Sequence, residues 1–165
     1  KKPYRGRLAF YHPSAKGTGI AVRLELRLNE TSDDRYDCFF LEMAKQKPTP
    51  SPETGKPQFD WENRATVKLE FPDLCEWLRV LEGQQPAAGG ERGNGLFHQT
   101  GETTTLIEFR RDSDRPGVLL GLSRKARQGD GLFRGQLRLS EAEATGLRCC
   151  LQTGLFFLVY HTNLR

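Results

Sequence analysis

Along residues 19–28 apolar and polar positions alternate without a break. Val22, Leu24, Leu26 and Leu28 fall on one face, and Ala21, Arg23, Glu25 and Arg27 on the other. That period of two predicts a half-buried β-strand. Before it, residues 7–12 read as a strand ended by Pro13, and the glycine-rich stretch 14–19 supplies the turn of a hairpin. A third strand, 36–46, carries Phe39, Phe40, Leu41 and Met43 and enters from a polar turn at 29–34. A fourth, 65–71, sets Val67, Leu69 and Phe71 against Thr66, Lys68 and Glu70. The period then changes. Leu74, Trp77, Leu78 and Leu81 recur at helical spacing, Asp73 and Glu76 have the spacing of a capping box, and Gly83 ends the helix.

After a Gly- and Ala-rich linker at 84–95 the plan repeats. Strands are predicted over 95–99, 103–110, 117–125 and 132–139, the last with Arg134, Gln136 and Arg138 opposed to Phe133, Leu137 and Leu139. Ser140 and Glu143 form a full capping box that opens a helix with the apolar stripe Ala144, Leu147, Leu151, Leu155 and Leu158. The chain is therefore ββββα twice, an α+β fold in one domain over 1–165, with repeat one at about 5–83 and repeat two at about 95–161. Residues 45–58 hold Pro48, Pro50, Pro52 and Pro57, so they are read as a long mobile loop. Each half has a sheet with one face for its helix and a spare face, which is the candidate working surface.

Composition narrows the field. The mean hydropathy is −0.62 and no 18-residue apolar run exists, so no membrane-spanning helix is expected. The basic start Lys1-Lys2-Pro3-Tyr4-Arg5 leads into no apolar stretch of the kind a secretory signal needs. Cys38, Cys75, Cys149 and Cys150 include no Cys-x-x-Cys, and His12, His98 and His161 are scattered singly, so no metal site and no cofactor is expected. The cysteines are read as reduced, structural thiols in an intracellular, reducing compartment, with Cys75, Cys149 and Cys150 on helices as small hydrophobes.

No enzyme is expected either, because no nucleophile with a base, carboxylate pair or phosphate loop has a signature here. Gly17-Thr18-Gly19 lacks the Lys-Ser or Lys-Thr ending and the following helix of a phosphate loop, and reads as a hairpin turn. Asp60, Glu62 and Asp73 read as solvated residues and a helix cap. The net charge of +4 is modest, so its distribution matters more. Basic residues alternate on strand faces (Arg23 and Arg27, Lys68, Arg134 and Arg138) and gather in loops (Lys45 and Lys47; Arg124, Lys125 and Arg127). They are interleaved with Tyr11, Phe40, Phe59, Trp61 and Phe97. Cations that follow phosphates, beside rings that stack on bases, suit single strands, whose bases are free to unstack. No helix rich in Arg, Asn and Gln at base-edge spacing is present to read a duplex.

The string Phe59-Asp60-Trp61-Glu62-Asn63-Arg64, with Val67-Lys68-Leu69, the helix at 73–83 and Gly95-Leu96-Phe97-His98, resembles the whirly-type single-stranded nucleic-acid-binding family. That superfamily includes kinetoplastid mitochondrial guide-RNA-binding proteins, and the Pur-type repeat has a similar plan. The plant members' Lys-Gly-Lys-Ala-Ala-Leu motif is missing, its nearest counterpart being Ala15-Lys16-Gly17-Thr18-Gly19, so plant-type sequence preference and higher assembly are not carried over. The resemblance implies two packed four-stranded antiparallel sheets with helices on one side, a homotetramer, and single-stranded DNA or RNA as partner.

On matching or physically suitable positions, the resemblance implies phosphate contacts from Lys16, Arg23, Lys45, Lys68, Arg110, Arg124, Lys125 and Arg138. It implies stacking by Phe10, Tyr11, Phe40, Trp61, Phe97 and His98, although Trp61 is equally suited to plug the core or a subunit contact and a lone histidine is equally suited to a structural role. The alternative function is a protein-interaction scaffold working through helix faces or the Pro-rich loop. The second helix stays apolar to its end through Phe156, Phe157, Leu158, Val159 and Tyr160, which predicts a homo-oligomer.

Overall fold

The structure, a computed structural model, describes residues 6–27, 38–126 and 131–160. Repeat one contributes β1 (Leu8–His12), β2 (Ile20–Arg27), β3 (Cys38–Lys45), β4 (Ala65–Leu69) and α1 (Phe71–Leu81). Repeat two contributes β5 (Leu96–Gln99), β6 (Thr103–Arg111), β7 (Val118–Ala126), β8 (Leu132–Leu139) and α2 (Glu141–Tyr160). The strands form two antiparallel four-stranded meanders in the orders β1-β2-β3-β4 and β5-β6-β7-β8. The chain thus has two ββββα repeats and an α+β fold.

Alternation decides what each face meets. In sheet one the register aligns Phe10, Val22, Met43 and Ala65, then Leu8, Leu24, Leu41 and Val67, on the face that joins the core. In sheet two the inner rows are Leu96, Ile107, Leu122 and Gly135, and Phe109, Leu120 and Leu137. The sheets come close where Gly135 of β8 lies against Met43 and Ile20, whose atoms occupy the place a Cβ would take.

Each helix then packs across to the other repeat. Trp77 of α1, fully buried, stacks on Phe109 of β6 with ring centroids 4.2 Å apart and planes 9° from parallel. Its Nε1–H has no partner among the described residues. Such an orphan costs about 1–3 kcal/mol, less than the roughly 3–5 kcal/mol that a buried Trp contributes over Ala. Gly154 of α2 sits where a Cβ would collide with the Phe39 ring of sheet one. Arg111 of β6 closes the joint. Its guanidinium donates to the terminal carbonyls of α1, Val80 at 3.2 Å and Leu81 at 2.8 Å, and pairs with Glu141 of α2 at 2.9 Å. A cation there satisfies orphan carbonyls at the negative end of the helix.

Several elements differ from the sequence reading. Phe71 does not extend β4 but begins α1. The cap is Glu70, whose N–H donates to Asp73 at 2.8 Å, so Asp73 is the third helical residue of the capping box and not its first partner. Pro72 in the first turn fixes that start, because its missing N–H is unpaired there anyway. Glu76 is therefore no part of the box. Its carboxylate accepts from Gln85 (2.9 Å) and from the N–H groups of Gly89 (3.1 Å) and Gly90 (3.2 Å), pinning the linker onto α1. The second cap is as read: Ser140 N–H to Glu143 at 2.8 Å, Glu143 N–H to the Ser140 hydroxyl at 3.2 Å.

The 45–58 segment folds back on itself. Lys47 N–H donates to Gln58 C=O (2.8 Å), Ser51 N–H to Lys56 C=O (2.9 Å) and Asp60 N–H to Lys45 C=O (2.8 Å), an arm that prolongs the β3–β4 hairpin. Strand β2 is covered on both faces, since Ala21 and Glu25 of its outward row are buried. No disulfide joins any of the four cysteines, but Cys149 and Cys150 are exposed on α2 rather than packed into it. Leu28, Tyr36, the 29–34 turn and Arg127 lie outside the described residues.

Two glycines of α2 separate propensity from packing. Gly146 is exposed with nothing near its missing Cβ, whereas Gly154 faces Phe39. Gly146→Ala should stabilise by up to about 1 kcal/mol through helix propensity. Gly154→Ala makes the same propensity gain and should nonetheless destabilise. Urea midpoints of the two variants decide, and a stabilising Gly154→Ala would overturn the close packing of α2 on sheet one.

Candidate nucleic-acid interface

The two outward faces differ in kind. On sheet one the outer rows are Ala9, Arg23, Glu42 and Thr66; Tyr11, Ala21 and Ala44; and Glu25, Phe40 and Lys68. Its cations are engaged. Arg7 and Arg27 reach the Glu25 carboxylate at 3.2 and 3.3 Å, Arg64 reaches Glu42 at 2.6 Å, and Lys68 reaches Glu70 at 3.2 Å. The carboxylates that take the arginines are almost buried, with side chains 5% exposed for Glu25 and 11% for Glu42. Arg23 lies flat over Trp61, 3.4 Å from the ring centroid, and Arg27 over Phe40 at 4.4 Å.

The arm supplies the rings that close this face. The Asp60 carboxylate accepts from the Asn63 side chain (2.8 Å) and N–H (3.3 Å), a local turn that fixes the residues around Trp61. The Asn63 side-chain bond also holds the Asp60 carboxyl below its ordinary pKa, against a smaller opposing push from burial. Phe59 and Trp61 pack beside Tyr11 with centroids 5.7 and 6.3 Å away, in the row where fully buried Ala21 and Ala44 leave room. Tyr11 remains 51% exposed and, with Pro13, Lys56 and Pro57, rims an open concavity of about 490 Å³.

Sheet two keeps an open outer face. Its rows are Phe97, Leu106, Ser123 and Arg134; Gln99, Thr104, Lys125 and Leu132; Glu108, Gly121 and Gln136; and Arg110, Leu119 and Arg138. Phe97 is 63% exposed. Among the described residues Arg110 and Lys125 have no ion-pair partner, and Arg134 makes only a 3.4 Å hydrogen bond to the Ser123 hydroxyl. An exposed ring on the same face as unengaged cations can stack a planar group and hold anions beside it.

The candidate residues therefore separate. Lys16, Lys45, Arg110 and Lys125 are solvent-accessible cations, with Lys45 Nζ 5.3 Å from the Phe133 ring. Phe97 and Tyr11 are accessible rings. The others have structural duties. Phe10 lies in the core and is not available to stack. Phe40 and Trp61 are half-buried under arginines, and Arg23 and Lys68 are engaged as described. Arg124 points inward and donates to Thr66 C=O of sheet one at 3.3 Å. Arg138 holds the β6–β7 loop through Pro116 C=O (2.7 Å) and Asp112 (3.8 Å). Arg134, Glu108 and Gln136 complete the open face. Alternation had placed Arg134 and Gln136 outward, while nothing marked Glu108.

His98 is also structural. Its Nε2 lies 3.2 Å from the Asp73 carboxylate at the start of α1. The counterpart in the other repeat is His12 Nε2, 2.8 Å from Glu143 at the start of α2. Each helix thus offers the third residue of its capping box to a histidine on the first strand of the other repeat. The Asp73 hydrogen bond raises the His98 pKa above its ordinary value, partly opposed by burial and helped by the charges of Asp73 and Glu70. Burial pushes the Glu143 carboxyl up, but the Ser140 N–H and His12 together hold it below its ordinary value. Among the described residues no group of three or more His, Cys, Asp or Glu could hold a metal, and no helix is long and apolar enough to cross a membrane.

Solved structures share this fold. The chain matches trypanosome MRP1/MRP2 at 16% identity with a TM-score of 0.66, covering 97% of this chain and 90% of that one. It matches WHY1 of Arabidopsis thaliana at 16% identity with a TM-score of 0.69, covering 96% and 89%. It matches a guide-RNA-binding protein complex bound to a guide RNA at 17% identity with a TM-score of 0.61, covering 96% and 93%. No family model matches the sequence, and no curated protein matches it. The whirly-like fold expected from the residues is the fold found.

The His98 pair makes stability depend on pH with a definite sign. A histidine whose pKa is raised on folding stabilises fully below its unfolded pKa, near 6.5, and that contribution is lost as pH rises through the folded value. The gap in urea midpoint between wild type and His98→Gln should therefore be largest near pH ~5.5 and shrink by pH ~8.5. Glu143 acts only in the acid range below that window, so it does not confuse the comparison. A gap independent of pH would overturn the charged pair.

Proposed function

We propose that the chain is a non-enzymatic binder of single-stranded nucleic acid, DNA or RNA, most of whose affinity is independent of sequence. The observation that carries this reading is the open outer face of sheet two, which exposed Phe97 shares with Arg110, Lys125 and Arg134, cations with no ion-pair partner among the described residues. Phe97 stacks bases and the three cations hold phosphates. One of the similar structures, a guide-RNA-binding protein complex bound to a guide RNA, supports it. Four cysteines with no disulfide among them support a reducing compartment.

The chain acts as a homo-oligomer in this reading, a tetramer by family resemblance. Phe156, Val159 and Tyr160 at the end of α2 are exposed, an apolar surface that a second copy would cover. Sedimentation should give a multiple of 18.7 kDa, and a clean monomer at micromolar concentration would sink the assembly.

Anisotropy titrations with labelled single-stranded DNA, single-stranded RNA and duplex DNA at two salt concentrations test the function. Single strands should bind more tightly than duplex, with affinity falling steeply between about 50 and 200 mM salt as counterions are released. Phe97→Ala should weaken single-strand binding by about 1–3 kcal/mol. Charge-removing changes at Arg110 and Lys125 should flatten the salt slope and leave the fold within about 0.5 kcal/mol. Binding to none of the three would transfer the reading to a protein-interaction scaffold working through the exposed end of α2.

A further inference from the structure

The outer face of sheet two carries one feature that phosphate binding does not explain. Glu108 sits near its centre, exposed, two residues from Arg110 on the same strand, with no ion-pair or hydrogen-bond partner among the described residues. A free carboxylate repels phosphate, so on a phosphate-following surface it is a cost unless it meets a donor. Its neighbours across the strands are bare. Gly121 lies opposite on β7, and continuing the β5–β6 register by one residue sets Gly95 opposite on the other side. The Glu108 carboxylate reaches over Gly121, 3.1 Å from where a Cβ would stand. The result is a concavity of about 380 Å³ lined by Leu106, Glu108, Ser123, Arg134 and Gln136. Leu106 precedes Glu108 by two residues on the same face, and exposed Phe97 stands beside Leu106.

We infer that this concavity is a base-reading socket in which Glu108 selects guanine within a bound single strand. The inference rests on the single-strand reading above and adds a preference to it. A base seated over Leu106 and Ser123, which line the concavity, turns an edge toward Glu108, one same-face step of roughly 7 Å from Leu106 along the strand. A carboxylate offers two acceptors side by side and no donor. Guanine alone matches it, because N1–H and the exocyclic N2–H lie side by side on the Watson–Crick edge. Adenine and cytosine set a ring acceptor beside their amino group, and thymine and uracil set a single N–H between two carbonyls. Each of these four bases leaves at least one Glu108 oxygen facing a lone pair. Arg134 and Arg110 flank the socket and hold the phosphates on either side of the read base.

The test uses labelled oligothymidylate with guanine at every third position, the same strand with inosine, which lacks the N2 amino group, and plain oligothymidylate. Wild type should bind the guanine strand at least about fivefold more tightly than the inosine strand. Glu108→Gln, a surface change that spares the fold, should abolish that ratio while binding oligothymidylate at least as tightly as wild type. Equal binding of guanine and inosine strands by wild type, or a ratio that survives Glu108→Gln, overturns the socket. In both cases intact oligothymidylate binding leaves the single-strand reading standing. Binding of none of the strands removes both.

Discussion

Everything in this fold depends on each repeat's helix being buried against the other repeat's sheet. Trp77 of α1 stacks on Phe109 of β6, and Gly154 of α2 lies on Phe39 of β3. A four-stranded meander with one apolar face cannot stand alone in water, and here its own helix does not suffice to cover it. The exchange ties the halves reciprocally. Arg111 grips the end of α1 and the start of α2 together, and the two histidines repeat the exchange at the helix starts. Neither half is therefore a folding unit, even though the ββββα plan repeats.

Burying both inner faces in one core leaves two outer faces, and the chain treats them differently. The 46–64 insertion, present only in repeat one, folds Phe59 and Trp61 over sheet one, and the flanking arginines close on Glu25 and Glu42. The matching connection in repeat two, between β7 and β8, is short, so nothing in the described chain reaches over Phe97 or Arg134. A duplicated architecture thereby yields one structural face and one open face.

The period of hydrophobic residues was enough to read the architecture, because alternation and helical spacing are set by the inner faces. The strand Leu132–Leu139 and the Ser140 cap agree with the sequence reading residue for residue. Phe71 misled because it continued the alternation of β4 by one apolar position, whereas Pro72 marked the helix start. The site was less legible. Whether Arg23, Arg124 or Arg138 is free depends on cross-strand register and on loops that fold back from far away in sequence. Glu42 meets Arg64, for example, only through the β3–β4 pairing and the turn around Trp61. Phe10 and Tyr11 are adjacent and aromatic, and only their opposite positions in the pleat send one to the core and the other to solvent.

Why the open face and not the basic-looking one should hold a polyanion follows from what each cation already does. To receive a phosphate, Arg64 must leave the almost buried Glu42 carboxylate, which has no other ion-pair partner among the described residues. An uncompensated buried charge costs about 3–5 kcal/mol, more than one phosphate contact at a solvated surface returns. Arg110, Lys125 and Arg134 face no such exchange, since they lose only water. Counting arginines along the chain ranks sheet one as the stronger anion surface, and accounting for Glu25 and Glu42 reverses the order. The same reasoning makes Glu108 conspicuous: on sheet one every carboxylate of the face neutralises a neighbour, and on sheet two this one neutralises none.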